Sequence, residues 1–196
     1  MPDEALGRSL LSMARNVIAA ELGQSASLLS NGATAEHPAL ASLGATFVTL
    51  SRHGALRGCI GTLDTRRSLA ADVRANAVAA AFADPRFPRL SAAEWATTSV
   101  EVSLLSKPEA VPVESESALL EQLRPRVDGV VLEYEGRRAT FLPQVWDSLR
   151  EPAAFLGELK RKAGLPLDFW SPALQVWRYS VTKWCEIDFR PVEEVS

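Results

Sequence analysis

The sequence predicts an α+β fold of two lobes, each an antiparallel sheet flanked by helices. Three observations carry this reading. Strands and helices follow one another through hairpins and not through regular βαβ repeats, which argues for antiparallel sheets. Two pairs of apolar runs close on short turn dipeptides, His53-Gly54 and Glu135-Gly136. After Pro172 the chain returns to strand, so its N- and C-terminal parts form one lobe and its middle the other.

Taken in order, Leu6, Leu10, Met13 and Val17 recur at helical spacing and Gly23 supplies a stop, which predicts an amphipathic helix over 4–22. Residues 23–43 are rich in Ser, Ala, Gly and Asn and read as a loop with room for a helical turn. The runs 46–51 and 55–60 form the first hairpin. A helix over 66–83 is rich in alanine, whose small side chains permit close packing, and it ends at the Pro-bracketed loop 84–88. Ser91 and Glu94 have capping-box spacing, which gives Glu94 a structural role. Val100, Val102 and Leu104 alternate with Glu101 and Ser103, the pattern of a strand with one apolar face. A second unit starts near Lys107-Pro108. It holds a helix around 116–123, the hairpin 129–141, a helical start at Pro143 and a helix from Pro152 to Ala163 stopped by Gly164. Residues 176–187 read as one strand. The expected division is therefore 1–107 plus 173–196 for the larger lobe and 108–172 for the smaller, together one domain.

The densest chemistry lies in Leu56-Arg57-Gly58-Cys59-Ile60-Gly61. On a regular strand Arg57 and Cys59 share a face, so guanidinium and sulfur become neighbours while Leu56 and Ile60 point the other way. A two-residue turn sets Leu50 opposite Arg57 and Val48 opposite Cys59. Gly58 and Gly61 leave gaps for a backbone or a ligand. The same residues also suit a packed core thiol beside a strand irregularity.

These six residues resemble the hallmark of the AMMECR domain family, also called AmmeMemoRadiSam system protein A. The resemblance continues through Gly61-Thr62-Leu63, Asp84-Pro85-Arg86-Phe87-Pro88, Glu101-Val102-Ser103-Leu104, Leu142-Pro143-Gln144-Val145, and Lys162-Ala163-Gly164-Leu165-Pro166 with Trp170 following. It implies two unequal lobes with the hallmark facing a cleft between them, and a protein of unsettled activity. It also implies a Memo-type protein and a radical-SAM protein as partners. On this resemblance Arg57, Gly58, Gly61, Thr62, Asp84, Arg86, Glu101 and Gln144 become cleft candidates, with Cys59 the candidate nucleophile.

Composition narrows the classes. The 196 residues carry a net charge of −3, and the basic pairs Arg66-Arg67 and Arg137-Arg138 are isolated, so nothing drives the chain toward nucleic acid or an anionic membrane. No stretch approaches the roughly 20 apolar residues of a membrane span, and the start of the chain does not read as a signal peptide. Two cysteines give no disulfide framework, and cytoplasmic is the expected compartment. His37, His53, Cys59 and Cys185 are not in metal-binding spacing, no Walker or dinucleotide loop is present, and no cofactor is implied. His53 lies six positions from Cys59, on the order of 20 Å along an extended strand, too far for a Cys–His dyad. His37, Asp84 or Glu101 would have to serve as base.

Two functional readings follow. The first is a binding protein whose cleft takes a peptide, a protein segment or a sizeable small molecule as accessory to a radical-SAM and Memo-type system. The second is a cysteine-dependent transferase or redox enzyme, with Cys59 attacking and Arg57 holding an anionic group.

Overall fold

The structure, a computed structural model, describes residues 3–24 and 37–189. They fall into two units: one runs to Leu105 and resumes at Thr182, and the other is Ser106–Val181.

The first unit opens with helix α1 (Glu4–Glu21), which Asp3 caps by accepting the Leu6 amide and which Gly23 ends in the left-handed region. A 3-10 turn at Pro38–Ala41 follows; residues 25–36 of the expected loop lie outside the described residues. Strand β1 (Leu43–Gly44) leads into β2 (Thr46–Arg52) and β3 (Ala55–Gly61). The sequence reading begins the next helix at residue 66, but the structure places Arg67–Ser68 in a short strand, β4, paired with β1. Helix α2 (Leu69–Phe82) then starts under a Ser68 cap, because the Ser hydroxyl satisfies an amide that would otherwise have no helical partner. Helix α3 (Ala92–Trp95) carries the full Ser91–Glu94 capping box, and β5 (Thr98–Leu105) completes this stretch.

The second unit comprises β6 (Glu109–Ala110), α4 (Glu116–Gln122), β7 (Gly129–Tyr134), β8 (Arg137–Phe141), a 3-10 turn at Pro143–Asp147, α5 (Pro152–Lys162) and β9 (Gln175–Tyr179). Strand β10 (Val181–Cys185) returns to the first unit. The single strand expected over 176–187 is thus two strands in different sheets. β9 pairs with β7, and Ser180 exchanges hydrogen bonds with Ser106 where the chain leaves that sheet. For the same reason the lobe boundary falls near residue 181 and not at 172.

The first unit's main sheet has the order β10-β5-β2-β3, with β3 at its edge, and the second unit's sheet the order β6-β9-β7-β8. Each unit has its own apolar core. In the first, Leu10, Leu11 and Ile18 of α1 and Val73, Ala77 and Ala80 of α2 pack with Val48, Leu50, Val100 and Val102, which leaves the other face of that sheet free of helices from α1 and α2. In the second, Trp146 stacks on Phe155 at 3.7 Å between ring centres, among Leu132, Leu156 and Leu159.

Candidate functional site

The hairpin that carries the hallmark turns at His53-Gly54, both with positive φ, but its register slips. Ser51 pairs with Leu56, Leu50 with Gly58, Thr49 with Cys59 and Val48 with Ile60, so Arg57 is the extra residue of a β-bulge. The bulge corrects the regular-strand reading. Cys59 faces Thr49 and not Val48, and Leu50 faces Gly58 and not Arg57. Leu56, opposite Ser51, is exposed on the face that carries Cys59, while Ile60 packs toward the core.

Packing fixes why these residues stand here. A Cβ on Gly58 would lie 2.2 Å from the Ala80 carbonyl oxygen, so the backbone of α2 fills that gap. The gap at Gly61 is filled by the Phe47 ring, 2.2 Å from where a Cβ would stand. Helix contact at Gly58 defines the inner face of β3, and Cys59 therefore points to the outer face.

Arg57 is buried and committed. Its Nε and Nη2 donate to the two carboxylate oxygens of Glu94 at 2.9 and 3.2 Å, and Nη2 reaches the Arg89 carbonyl at 3.4 Å. Arg57, then the Ser91 amide and hydroxyl, hold the Glu94 carboxyl down at about 2. The expected guanidinium–thiol neighbourhood does exist, but Arg86 supplies it. Its guanidinium bonds Asp84 through Nε (3.0 Å) and Nη2 (2.7 Å), and Nη2 also donates to the Cys59 carbonyl at 3.1 Å. The Asp84 carboxylate first raises the Arg86 pKa, and the Cys59 side chain beside it adds to that effect. Asp84 in turn accepts the Cys59 amide at 2.8 Å, and Arg86, ahead of that amide, holds the Asp84 carboxyl well below the usual range. The loop 84–86 thereby satisfies both backbone groups of Cys59 on the open edge of the sheet. Because those groups point away from β2, Cys59 and Thr49 form a non-hydrogen-bonded pair with close side chains. The Thr49 hydroxyl donates to Cys59 Sγ at 3.3 Å.

Thr49 pairs on its other side with Glu101, whose carboxylate stands 3.6 Å from Lys183 Nζ. Thr62 is occupied elsewhere, donating to Asp72 at 2.8 Å. Asp72 is a junction that sequence reading missed. Buried, it also accepts from the Thr46 amide and hydroxyl (2.8 Å each), from Asn76 Nδ2 (2.9 Å) and from Arg67 Nη2 (2.9 Å). Gln144 is exposed on the 3-10 turn Pro143–Asp147 of the second unit. His37 bonds Asp3 and caps its own turn, and His53 sits at the hairpin tip. Among the described residues no group of three or more His, Cys, Asp or Glu is arranged to hold a metal ion, and no helix is long and apolar enough to cross a membrane.

Comparison with known proteins adds relatives. The model of the AMMECR1 family matches residues 11–184. A protein of Methanothermobacter thermautotrophicus is 40% identical over 139 residues, 68% of this chain and 70% of that protein. One of Sulfolobus acidocaldarius is 39% identical over 145 residues, 69% of this chain and 62% of its own length. The crystal structure of the uncharacterized protein PH0010 from Pyrococcus horikoshii is similar with a TM-score of 0.76 and 30% identity, covering 93% of this chain and 92% of that one.

Proposed function

This chain belongs to the AMMECR1 family, and from that premise we propose that it works as a binding protein: the outer face of its first sheet, around Cys59, receives a peptide, a protein segment or a sizeable small molecule. We place it as an accessory to a radical-SAM and Memo-type system, the role its hallmark implies. One observation carries the preference for binding over catalysis. The titratable groups nearest the hallmark are bound into the scaffold, with Arg57 on Glu94 and Asp84 on Arg86 and the Cys59 amide, so among the described residues no free base stands beside the thiol. Asp84, held as a carboxylate by its partners, is a weak proton acceptor. The test is to purify the protein from its native cells together with neighbouring proteins and identify what co-purifies by mass spectrometry. Capture that survives Cys59→Ser supports the reading, and absence of specific partners removes it.

A cysteine-dependent enzyme is the second reading, and one observation favours it: Cys59 has a guanidinium beside it and a hydroxyl donating to its sulfur. The anion-holding role then falls to Arg86 and not to Arg57. On this reading native Cys59 reacts with iodoacetamide faster than in the unfolded chain at the same pH. Slower labelling of the native protein eliminates it.

A further inference from the structure

The ionisable groups of the first unit divide by whether their hydrogen bonds are already used inside the protein. Asp72, Asp84, Glu94 and Glu186 each accept several bonds from buried or half-buried donors. Glu101 differs. Among the described residues it makes no hydrogen bond, and its one charged contact, Lys183 Nζ at 3.6 Å, joins two side chains that are 31% and 47% exposed. Arg86 is likewise incompletely used. Nε and Nη2 are bonded to Asp84 and the Cys59 carbonyl and the Cys59 side chain lies beside the group, yet the arginine side chain is 54% exposed and Nη1 adds two further N–H donors to its fork.

These unspent groups lie on one line across the sheet. Cys59, next to Arg86, stands opposite Thr49, and Thr49 opposite Glu101, and residues so opposed share a face. With strands spaced about 4.8 Å, the positions of Cys59 and Glu101 are about 10 Å apart. One end of the line offers a planar cation and the other a carboxylate. The two charges of a single amino acid are too close together to reach both. Three extended residues, at about 3.3 Å each, span the distance.

We propose that this line seats a short free peptide of about three residues, laid across β3, β2 and β5, with its terminal carboxylate on Arg86 Nη1 and its terminal ammonium on Glu101. The ammonium displaces Lys183 Nζ from Glu101, and the Thr49 hydroxyl serves the peptide between its ends. The proposal rests on the binding reading above and specifies the chemistry of the occupant.

The test is calorimetry of the full chain with triglycine, N-acetyl-triglycine, triglycinamide and free glycine. Triglycine binds, glycine binds at least tenfold more weakly, and either cap weakens triglycine about tenfold through loss of one charged contact. In Arg86→Gln the amide cap ceases to matter, and in Glu101→Gln the acetyl cap ceases to matter. Lys183→Gln tightens triglycine several-fold, a gain that a damaged fold cannot produce. No binding of triglycine to the wild type, caps without effect, or weaker binding in Lys183→Gln each overturns the proposal. If native partners are still captured while triglycine is ignored, only this inference falls. If triglycine binds and no partner is captured, it is the accessory role that fails.

Discussion

The two hairpins, β2–β3 in the first unit and β7–β8 in the second, start from the same turn and end in different structures. Each is closed by two residues of positive φ, His53-Gly54 and Glu135-Gly136, the pair of left-handed conformations that matches the twist of flanking strands. β7–β8 then runs in unbroken register from Tyr134–Arg137 to Val130–Phe141, so Leu132 and Ala139 oppose each other in one core. β2–β3 slips by one at Arg57. The slip sends Gly58 inward onto α2 and Cys59 outward, and it buries the arginine against Glu94. A regular hairpin builds a core wall, whereas the bulged one builds a wall and, from the same six residues, an outer face that carries Cys59.

The largest way to break this contrast is to put the same methyl group into both hairpins. Gly58→Ala drives a Cβ into the Ala80 carbonyl, which is helix backbone and cannot swing aside, so α2 has to move. We expect a loss of about 3 kcal/mol in urea unfolding. Gly136→Ala meets open space and bears only the strain of φ 78°, about 1 kcal/mol. Equal losses would mean that helix contact at the bulge does not set the face of Cys59.

Arg57 and Arg86 divide along the same line. Arg57→Gln leaves the half-buried Glu94 without its bidentate partner and is expected to cost about 2 kcal/mol of stability, with triglycine affinity unchanged. Arg86→Gln should lose both, stability because the buried Asp84 carboxylate loses its bidentate partner and affinity because the half-exposed guanidinium no longer meets the ligand, so the affinity of triglycine is what separates the two arginines. A protein in which Arg57→Gln keeps its stability and loses ligand would restore the arginine to the role a regular strand gives it.

What the sequence disclosed and what it hid follow from range. Turns, caps and helix stops are local: His53-Gly54, Ser91 with Glu94 and Gly164 each act on neighbours a few residues away, and each stands where its pattern puts it. The bulge is not local, since nothing in residues 50–58 demands a slip until the α2 backbone presses on Gly58 from more than twenty residues away. Asp72 was invisible for the same reason, its donors arriving from Thr46, Thr62, Arg67 and Asn76, which share no spacing. The capping box was legible, yet it hid the second use of Glu94 as the partner of Arg57. The break at Ser180 lacks glycine or proline, so two strands in two sheets read as one.

Acid sharpens the comparison with a smaller effect. Arg57, then Ser91, lowers the Glu94 carboxyl from 4.5 to about 2, so the folded state favours the ionised form more than the unfolded chain does. The sign follows from linkage: this contribution is fully present above pH 4.5 and is lost as pH falls through about 2. Wild type and Glu94→Gln should therefore differ by about 1 kcal/mol at neutral pH, with the gap shrinking between pH 4.5 and 2. A gap constant across that range would show that the bulged arginine is not held by the charge of Glu94.

The smallest effect tests whether the two turns are equivalent. His53 and Glu135 occupy the first turn position at φ 50° and 48°, a region where asparagine is tolerated better than either residue. His53→Asn and Glu135→Asn should each raise stability by about 0.5 kcal/mol, read as matched shifts of the urea midpoint. Equal gains mean that the turns contribute alike and that the whole difference between the hairpins arises at Arg57. A gain at Glu135 with none at His53 would mean that the first turn is already coupled to the slip four residues away at Arg57, and the bulge would then be a property of the entire hairpin and not of the contact at Gly58.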